Sequence, residues 1–445
     1  MNRVLMVLMS SFLCTASLEG VEAEGNSHQP TPNAQRPKEV SLTLETCVER
    51  ALEAAAARGV FDAEAMARPT LRAARARSLP HLNVTPELRY FTTDANTETA
   101  VWGDLGQHFL EIPQNIMHRR MAGRQARRVA LRVRRLQCAR AAAAARAYID
   151  VVTAGLRREL ARQRRARAQD TQTGWTAVTN DTPKIRTEKR LARRTAERAA
   201  AEHEEAAAVC ARQRRGLAAL CGLTAAELDQ LAGLPPYTMP GVTLEDSVHW
   251  AVSNRSDLAM ARLDVRLTEM MAGLQRMERL PTPGLSFGYT EANDGKTDIR
   301  EDVFDEDEDR SGVFAAVQLR IPIWDAGQNA ARVAKLREQA KAMAYELDEM
   351  EAGIAAAVTA KFTALNTAWQ NLLDTRADPE PERAFAAAAI RFAQGGIARQ
   401  AYADARLRLA AHRNTLALRN ADCHRAETDL LEALEATRAE WRRGL

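Results

Sequence analysis

Residues 319–340 read LRIPIWDAGQNAARVAKLREQA, where a short apolar stretch meets a proline and then a long segment rich in alanine and arginine. The same pattern occurs earlier, because residues 110–130 read LEIPQNIMHRRMAGRQARRVA. Proline lacks a backbone N–H, so it fits poorly inside a sheet but well at a strand end or in the first turn of a helix. We therefore expect Pro113 and Pro322 to mark two strand-to-helix junctions.

Two further pairs of segments repeat in the same order along the chain. LTLETCVERAL at 42–52 matches VTLEDSVHWAV at 242–252, and LPHLNVTPELRY at 79–90 matches LPTPGLSFGYT at 280–290. Corresponding segments are separated by about 200 to 209 residues. That period is too long for a solenoid, so we interpret the pattern as one large unit copied once.

The two predicted repeats span 41–233 and 242–445, and a proline-rich linker at 234–241 separates them. Each repeat should contain a helix, two strands, a very long helix and a helix that runs back. A long helix of roughly 60 residues would extend about 90 Å, which exceeds a single globular core. The predicted strands are 81–91, 105–113, 283–291 and 312–322. The predicted helices are 44–78, 114–177, 183–220, 244–280, 324–394 and 398–441.

The N-terminal residues have the pattern of a targeting segment. Arg3 precedes an apolar run that is too short to span a bilayer, and a small-residue cleavage signal follows, which indicates a signal peptide at 1–23. A lipoprotein signal would place lipid on Cys14, but the bulky Leu13 stands where a small residue is usual. Residues 24–40 are polar and contain prolines, so we expect a disordered lead-in.

Composition and motifs narrow the function classes. The chain carries 62 basic and 58 acidic residues, and only 5% of its residues are aromatic, which does not favour a nucleic-acid partner. It lacks the nucleophile, zinc-hydrolase and phosphate-loop motifs, so we predict no enzyme activity and no cofactor. An odd number of cysteines would remain after cleavage, without metal-ligand spacing, and buried helix positions are the simpler explanation. These cysteines are Cys47, Cys138, Cys210, Cys221 and Cys423.

The predicted strands alternate between apolar and polar or small side chains. In the third strand, Leu285, Phe287 and Tyr289 alternate with Ser286 and Gly288. Such a period of two places one set of side chains on each face of a sheet. An exported protein without an apolar helix fits a membrane β-barrel with a wet interior, although a half-buried soluble sheet alternates in the same way. Four strands cannot close a barrel with a lumen, so several copies of the chain would have to contribute strands.

The chain resembles the TolC-like outer-membrane efflux proteins over about residues 40–441. The resemblance rests on the duplicated helix start, on NRSDLAMARL and VQLRIPIWDAGQNAARVAKLREQA, and on RFAQGGIARQAYADARLRLAAHRN at 391–414. It implies a mainly α-helical homotrimer whose protomers pool four strands each into a twelve-stranded barrel in outer-membrane lipid, continued by a periplasmic helical tube. It further implies a passive exit duct of a tripartite efflux or type I secretion system, for small molecules or proteins, that docks to a periplasmic adaptor and an inner-membrane pump.

The resemblance also implies a periplasmic gate formed by helical hairpins. In this family one turn carries a Tyr-x-x-Gly pattern, and Phe392 to Gly395 stand at that pattern here, with Phe in place of Tyr. Arg399 lies close to a position where some members have arginine. Asp404 occupies one of two acidic positions. A three-fold axis would bring three Asp404 carboxylates together in a cation-attracting constriction. The alternative is that Asp404 is a solvated helix residue.

An acidic segment separates the third and fourth predicted strands, at 293–312. On a barrel this segment would be an extracellular loop, and a solvated loop that keeps the mouth hydrated is the simpler interpretation. It lacks the spacing of an EF-hand, so a formed calcium site is not supported. The candidate residues of this loop are Asp302, Asp305, Glu306, Asp307, Glu308 and Asp309.

Two prolines interrupt the last long helical pattern. Pro379 and Pro381 lie inside the predicted helix 324–394, and prolines in a helix interior kink or break it. We therefore expect an irregularity roughly 20 Å before the hairpin turn.

Two other functions remain open from the sequence alone. A periplasmic adaptor or structural coiled-coil protein would also contain long helical hairpins, but an adaptor needs an additional domain rich in short strands. An exported basic protein that binds acidic polymers would use the arginine-rich runs of the first long helix.

Overall fold

The computed structural model describes residues 42–76, 81–90, 97–106, 112–179, 182–280, 282–292, 310–320 and 325–444. For the four strands and the first two residues of the first long helix, the description covers the backbone only. The predicted signal peptide, the lead-in, Cys14, Pro322 and the six acidic loop residues lie outside the described residues.

The described residues are mostly helical, and the same order of elements occurs twice. Each occurrence has a pair of shorter helices, two strands, a long helix, a return helix and a final short helix, and the second has one additional helix before the return helix. The first set is α1 (Leu44–Ala56), α2 (Ala63–Ala76), β1 (His81–Tyr90), β2 (Thr97–Gly106), α3 (Ile112–Thr176), α4 (Pro183–Cys221) and α5 (Ala225–Asp229). The second set is α6 (Leu244–Asn254), α7 (Ser256–Met277), β3 (Thr282–Ala292), β4 (Arg310–Arg320), α8 (Gln328–Ala377), α9 (Glu380–Ala393), α10 (Arg399–Leu434) and α11 (Arg438–Arg442).

The four strands form one antiparallel sheet in the order β1-β2-β3-β4. His81 of β1 pairs with Gly106, Glu98 of β2 pairs with Ala292, and Thr282 of β3 pairs with Arg320. β1 and β4 therefore lie at the two edges of this sheet, and the described residues of one chain do not form a closed barrel. Pro86 lies in β1, where an edge position tolerates a residue that cannot donate a ladder hydrogen bond.

Several predicted elements differ from the observed ones. β2 lies at Thr97–Gly106 rather than at 105–113, because TETAVWGDLG has no regular alternation that would identify it as a strand. The predicted helix 44–78 is divided where Gly59 adopts φ +71°, a left-handed conformation that glycine reaches without strain. The predicted helix 244–280 is divided at Arg255, whose extended backbone (φ −65°, ψ 133°) ends α6 and begins α7.

Equivalent capping boxes begin the matched helices of the two repeats. The Thr43 hydroxyl accepts from the Thr46 amide before α1, and the Thr243 hydroxyl accepts from the Asp246 amide before α6. In each box the side chain three residues on accepts from the backbone of the first threonine. These reciprocal bonds satisfy amides that an isolated helix start leaves unpaired, so both helices begin at sharply defined residues.

A further match between the repeats lies at their ends. Gly222 (φ +68°) caps the end of α4 and Glu435 (φ +50°) caps the end of α10, so both helices are followed by a left-handed residue. Each is followed by a short helix with a Thr-x-x-Glu capping box, begun by Thr224 in the first repeat and by Thr437 in the second. Glu435 is the non-glycine member of this match, and its carboxylate accepts a hydrogen bond of 2.8 Å from the Ser256 amide at the start of α7.

The DAGQ part of the opening motif forms the cap of α8. Asp325 accepts from the amides of Gly327 at 3.0 Å and Asn329 at 3.1 Å. These backbone bonds lower the pKa of the Asp325 carboxyl below its usual range, and burial opposes this effect. Gly327 adopts φ +80°, and Ala326 before it is also left-handed at φ +51°. The motif therefore encodes a tight turn into a helix that begins at a fixed residue.

The buried side chains form two main cores, one in each repeat. The first joins α1 to α3 and α4 through Cys47, Tyr148, Ile149 and Leu217. The second joins the inter-repeat linker to α8 and α10, and its members include Tyr237, Val358, Leu365, Leu430 and Trp441. Within the described part of the chain, no helix combines the length and the apolar character that a bilayer crossing requires.

Candidate functional site

The helix break expected at the two prolines is present between α8 and α9. α8 ends at Ala377, and the new helix starts at Glu380 with Pro379 in its N-cap position. Asp378 adopts an extended conformation and its carboxylate accepts from the Glu380 amide at 3.1 Å. The break makes α9 a separate segment of 14 residues that leads to the hairpin turn, and the Asp378 bond stabilises its first turn.

The turn between α9 and α10 depends on a glycine. Gly395 adopts φ +73°, and its amide donates to the Phe392 carbonyl at 3.0 Å. The amide of Gly396 then donates to the Arg391 carbonyl at 2.7 Å. These bonds satisfy the last carbonyls of α9 in the manner of a left-handed helix stop. A side chain at Gly396 would approach the Arg391 carbonyl to 3.3 Å, so this turn favours two successive glycines.

An aromatic cluster fixes the two sides of this turn. The rings of Phe392 and Tyr402 are stacked with centroids 4.6 Å apart, and Phe385 lies 5.8 Å from Tyr402. Phe392 and Phe385 belong to α9, whereas Tyr402 belongs to the first turn of α10. The phenylalanine that stands at the family's tyrosine position therefore packs on a tyrosine ten residues later. Sequence reasoning did not identify Tyr402.

Asp404 forms an ion pair with the first repeat. Arg167 of α3 donates from Nε to Asp404 Oδ1 at 2.8 Å and from Nη2 to the Gln400 carbonyl at 3.2 Å. The Arg167 side chain is 18% exposed, and that of Asp404 is 52% exposed. Gly174, two turns further along α3, lies beside the Gln400 side chain. The turn-proximal ends of α3 and α10 are thus in direct contact.

A second group of ion pairs joins the same two helices nearer their other ends. Arg146 donates to Asp429 at 2.8 Å and also pairs with Glu432, and Arg425 pairs with Asp150. Because residue numbers rise along α3 as they fall along α10, the two helices are antiparallel. Arg146 and Arg167 are about 30 Å apart along α3 at 1.5 Å per residue, so the Arg167 pair holds the turn-proximal end independently.

A buried polar network anchors the far end of α10 to the inter-repeat linker. Asn420 bridges two linker residues: its Oδ1 accepts from the Tyr237 amide at 2.7 Å, and its Nδ2 donates to the Pro235 carbonyl at 2.9 Å. His424 Nε2 lies 2.9 Å from the same carbonyl and donates to it, since a carbonyl can only accept. The Glu427 carboxylate accepts from Arg438 Nε at 3.0 Å.

Charge compensation explains how Glu427 is tolerated in this position, where its side chain is only 2% exposed. Burial by itself would raise the pKa of the Glu427 carboxyl, but the neighbouring His424 and Arg438 lower it below its usual range. The second repeat therefore has one end of α10 fixed by a buried network, while the opposite end is held by the more exposed Arg167–Asp404 pair.

The structure brings together four of the sequence-predicted site residues. Phe392, Gly395, Arg399 and Asp404 all lie at the α9–α10 turn or in the first two turns of α10. Arg399 is exposed and forms no ion pair with any described residue. Pro113 is the second residue of α3, some 80 Å from Arg167 along the helix, so it takes no part in this cluster.

Sequence reasoning missed Arg167, because it belongs to an arginine-rich run in which no single residue stands out. The run predicts a basic surface, but it carries no information about the acidic partner 237 positions away. Among the described residues, no group of three or more His, Cys, Asp or Glu side chains could hold a metal ion.

Comparison with known proteins agrees with this geometry. The sequence model described as "Outer membrane efflux protein" matches residues 248–435, which include the α9–α10 turn and Asp404. The resemblance to the TolC-like outer-membrane efflux proteins is confirmed. This match supports a location in the outer membrane with an extension into the periplasm. No curated protein sequence matches the chain.

Solved structures show the same fold at low sequence identity. The MtrE outer membrane channel of Neisseria gonorrhoeae, described as an open state, has a TM-score of 0.67 at 15% identity, over 94% of this chain and 96% of that one. The CmeC outer membrane channel of Campylobacter jejuni has a TM-score of 0.66 at 12% identity, over 88% and 85%. The outer membrane protein VceC of Vibrio cholerae has a TM-score of 0.62 at 14% identity, over 88% and 96%. At 12–15% identity, these structures establish the shared fold.

Proposed function

We propose that the chain is one protomer of a trimeric exit duct, which serves passively in a tripartite efflux or type I secretion system. The observation that carries this proposal is the single sheet of four strands with β1 and β4 at its edges. An edge strand in lipid leaves backbone groups without hydrogen-bond partners, at a cost of several kcal/mol each. Pairing β4 of one copy with β1 of the next removes both edges, and three copies would supply twelve strands.

The helices fit the same assembly. α3 contains 65 residues, or roughly 100 Å of helix, and it is antiparallel to both α4 and α10. Helices of this length attached to a membrane-embedded sheet would extend into the periplasm as a tube. A periplasmic adaptor and an inner-membrane pump are the partners proposed for the end of this tube. The cargo would be small molecules or proteins that pass without a chemical step.

We assign the gate to the α9–α10 turn. The Arg167–Asp404 pair holds this turn against α3, and Phe392 with Tyr402 fixes its shape. The pair is only partly buried, so its net contribution is about 0–1 kcal/mol, small enough for a docked partner to outweigh. Arg399, which is exposed at the start of α10, is available for such a partner.

Planar-bilayer recordings test the duct. The purified full-length protein should be a trimer in detergent, by light scattering, and should give discrete conductance steps after incorporation. A truncated chain that lacks β4 should give no steps, because the sheet can no longer pair between copies. A stable monomer without conductance would contradict the proposal and favour the adaptor or coiled-coil alternative.

A further inference from the structure

Two buried cysteines that are far apart in the chain meet in the first core. Cys47 lies in α1, and Cys221 is the last residue of α4. Their exposed fractions are 0% and 4%. The Cys221 thiol lies 3.4 Å from the Cys47 carbonyl oxygen, so its sulfur is in direct contact with the Cys47 backbone. Both are free thiols in the structure.

The other described cysteines have different surroundings. Cys210 and Cys423 are similarly buried, and Cys138 contacts the Glu435 carbonyl at 3.7 Å, but none of the three contacts a second thiol among the described residues. Burial raises the pKa of Cys138, and it raises the pKa of Cys423 to about 12. Burial therefore makes the thiols of Cys138 and Cys423 less reactive than an exposed thiol.

We propose that Cys47 and Cys221 form a disulfide in the exported protein, linking the start of the first repeat to the end of its return helix. The inference rests on the outer-membrane localisation and not on channel activity. The periplasm is an oxidising compartment in which disulfides form and persist. Because the Cys221 sulfur already touches the Cys47 backbone, side-chain rotations could bring the two sulfurs toward the bond length of about 2.05 Å.

The electrostatics indicate which thiol reacts first. The neighbouring Cys47 thiol lowers the pKa of Cys221, and the nearby Arg140 and Arg50 lower it further, against the effect of burial. The neighbouring Cys221 thiol raises the pKa of Cys47, and burial adds to the rise. Since the thiolate is the nucleophile in disulfide exchange, Cys221 should attack first in near-native states in which Arg50 and Arg140 already lie beside it.

The oxidant is a disulfide, either of a thiol oxidoreductase or of a small molecule such as oxidised glutathione. The Cys221 thiolate attacks one sulfur of that disulfide, forms a mixed disulfide and releases the first thiol. Cys47, after losing its proton, then attacks the Cys221 sulfur and releases the second thiol. The two cysteines lose two electrons and two protons, and the oxidant is reduced to two thiols.

Differential alkylation of the full-length protein tests the proposal. The protein is purified from the outer membrane, unfolded in N-ethylmaleimide to block free thiols, then reduced and treated with iodoacetamide. By mass spectrometry, Cys138, Cys210 and Cys423 should carry the first reagent, and Cys47 and Cys221 the second. If Cys47 and Cys221 both carry the first reagent, even after refolding with oxidised glutathione, the proposal is wrong.

Single substitutions provide the matched control. Cys47→Ser should transfer Cys221 to the first reagent, whereas Cys423→Ser should leave the Cys47–Cys221 pair unchanged. Reductant should lower the unfolding temperature of the wild-type protein and of Cys423→Ser, because it removes a link across 174 positions of the chain. The same reductant should leave Cys47→Ser unaffected. An equal fall in all three proteins would contradict a stabilising disulfide.

Discussion

Arg167 of α3 donates a hydrogen bond of 2.8 Å to Asp404 of α10, so the acidic residue at the predicted gate is paired within its own chain. This pairing changes the electrostatic expectation for a three-fold constriction. Three unpaired carboxylates would repel one another and attract cations, whereas three ion pairs are nearly neutral. Ion preference therefore depends on whether the Arg167–Asp404 pair is intact.

Removal of the Arg167 charge and removal of the Asp404 charge should have opposite effects on ion selectivity. Arg167→Ala leaves Asp404 unpaired, so we expect a larger conductance and a stronger preference for cations in planar bilayers. Asp404→Asn also frees the turn, so the conductance should rise, but the cation preference should fall. Reversal potentials in a salt gradient separate the two outcomes.

Arg162 provides the control, because it lies on the same helix and pairs with Glu159 of α3 itself. Arg162→Ala should leave conductance and selectivity unchanged. The exchange Arg167→Asp with Asp404→Arg should restore the wild-type conductance. Unchanged selectivity in both single variants would remove Asp404 from the gate without affecting the fold.

The stacked rings at the turn should stabilise the hairpin. Phe392→Ala removes the contact with Tyr402 at 4.6 Å, so about 0.5–1.5 kcal/mol of local stability should be lost, in addition to the loss of buried area. Limited proteolysis should then cleave the α9–α10 turn faster. Phe392→Tyr should retain the stack, and Ile390→Ala, at a 59% exposed position of the same helix, should cleave at the wild-type rate. Equal cleavage of all variants would show that the stack is not stabilising.

Local signals made several elements predictable. The Thr43 and Thr243 caps define where α1 and α6 begin, since a capping box is encoded within four residues. The strands near Leu285 and Val317 alternate regularly, and their predicted positions lie within two residues of β3 and β4. The helix break at Pro379 and Pro381 was predictable because proline disrupts a helix through its own backbone and the preceding turn.

Features that depend on distant contacts could not be predicted. β2 has an irregular sequence, and its position is set by its pairing with β1 and β3. The sequence of α3 does not distinguish Arg167 from the neighbouring arginines, because its partner Asp404 is on α10. The contact between Cys47 and Cys221 likewise exists only after α1 packs on α4. In each case the deciding interaction joins residues that no spacing rule relates.

Two glycines of α4 and its cap should respond differently to replacement by alanine, because only Gly222 is left-handed. Gly222→Ala should destabilise the protein by about 1–2 kcal/mol, because a residue with a Cβ is strained at φ +68° although no atom lies within 4 Å of the new methyl group. Gly216→Ala in the same helix meets no neighbour either, and helical geometry there should make it stabilising by about 0.5–1 kcal/mol. Urea unfolding followed by circular dichroism measures both changes. A loss at both positions would show that the methyl group, and not the backbone conformation, is responsible.

The buried Glu427 should make the end of α10 sensitive to acid. Its pKa is lowered in the folded protein, so the unfolded chain binds a proton more readily. Glu427 therefore contributes stability that is fully present above its unfolded pKa of about 4.3 and is lost as the pH falls toward the lower folded value. Hydrogen exchange in peptides covering 420–441 should accelerate on acidification below about pH 5.

Glu427→Gln separates the charge of this group from its shape. The amide removes the buried partner of Arg438 and leaves it only the exposed Glu45, so exchange in the same peptides should already be faster at pH 7, with a local loss of about 1–3 kcal/mol. Between pH 5 and pH 3 the variant should change less than the wild type, because it has no carboxyl to protonate. Glu338→Gln, at an exposed pair with Lys341, should retain the wild-type pH dependence. If Glu427→Gln retained the full acid response, another group would be responsible.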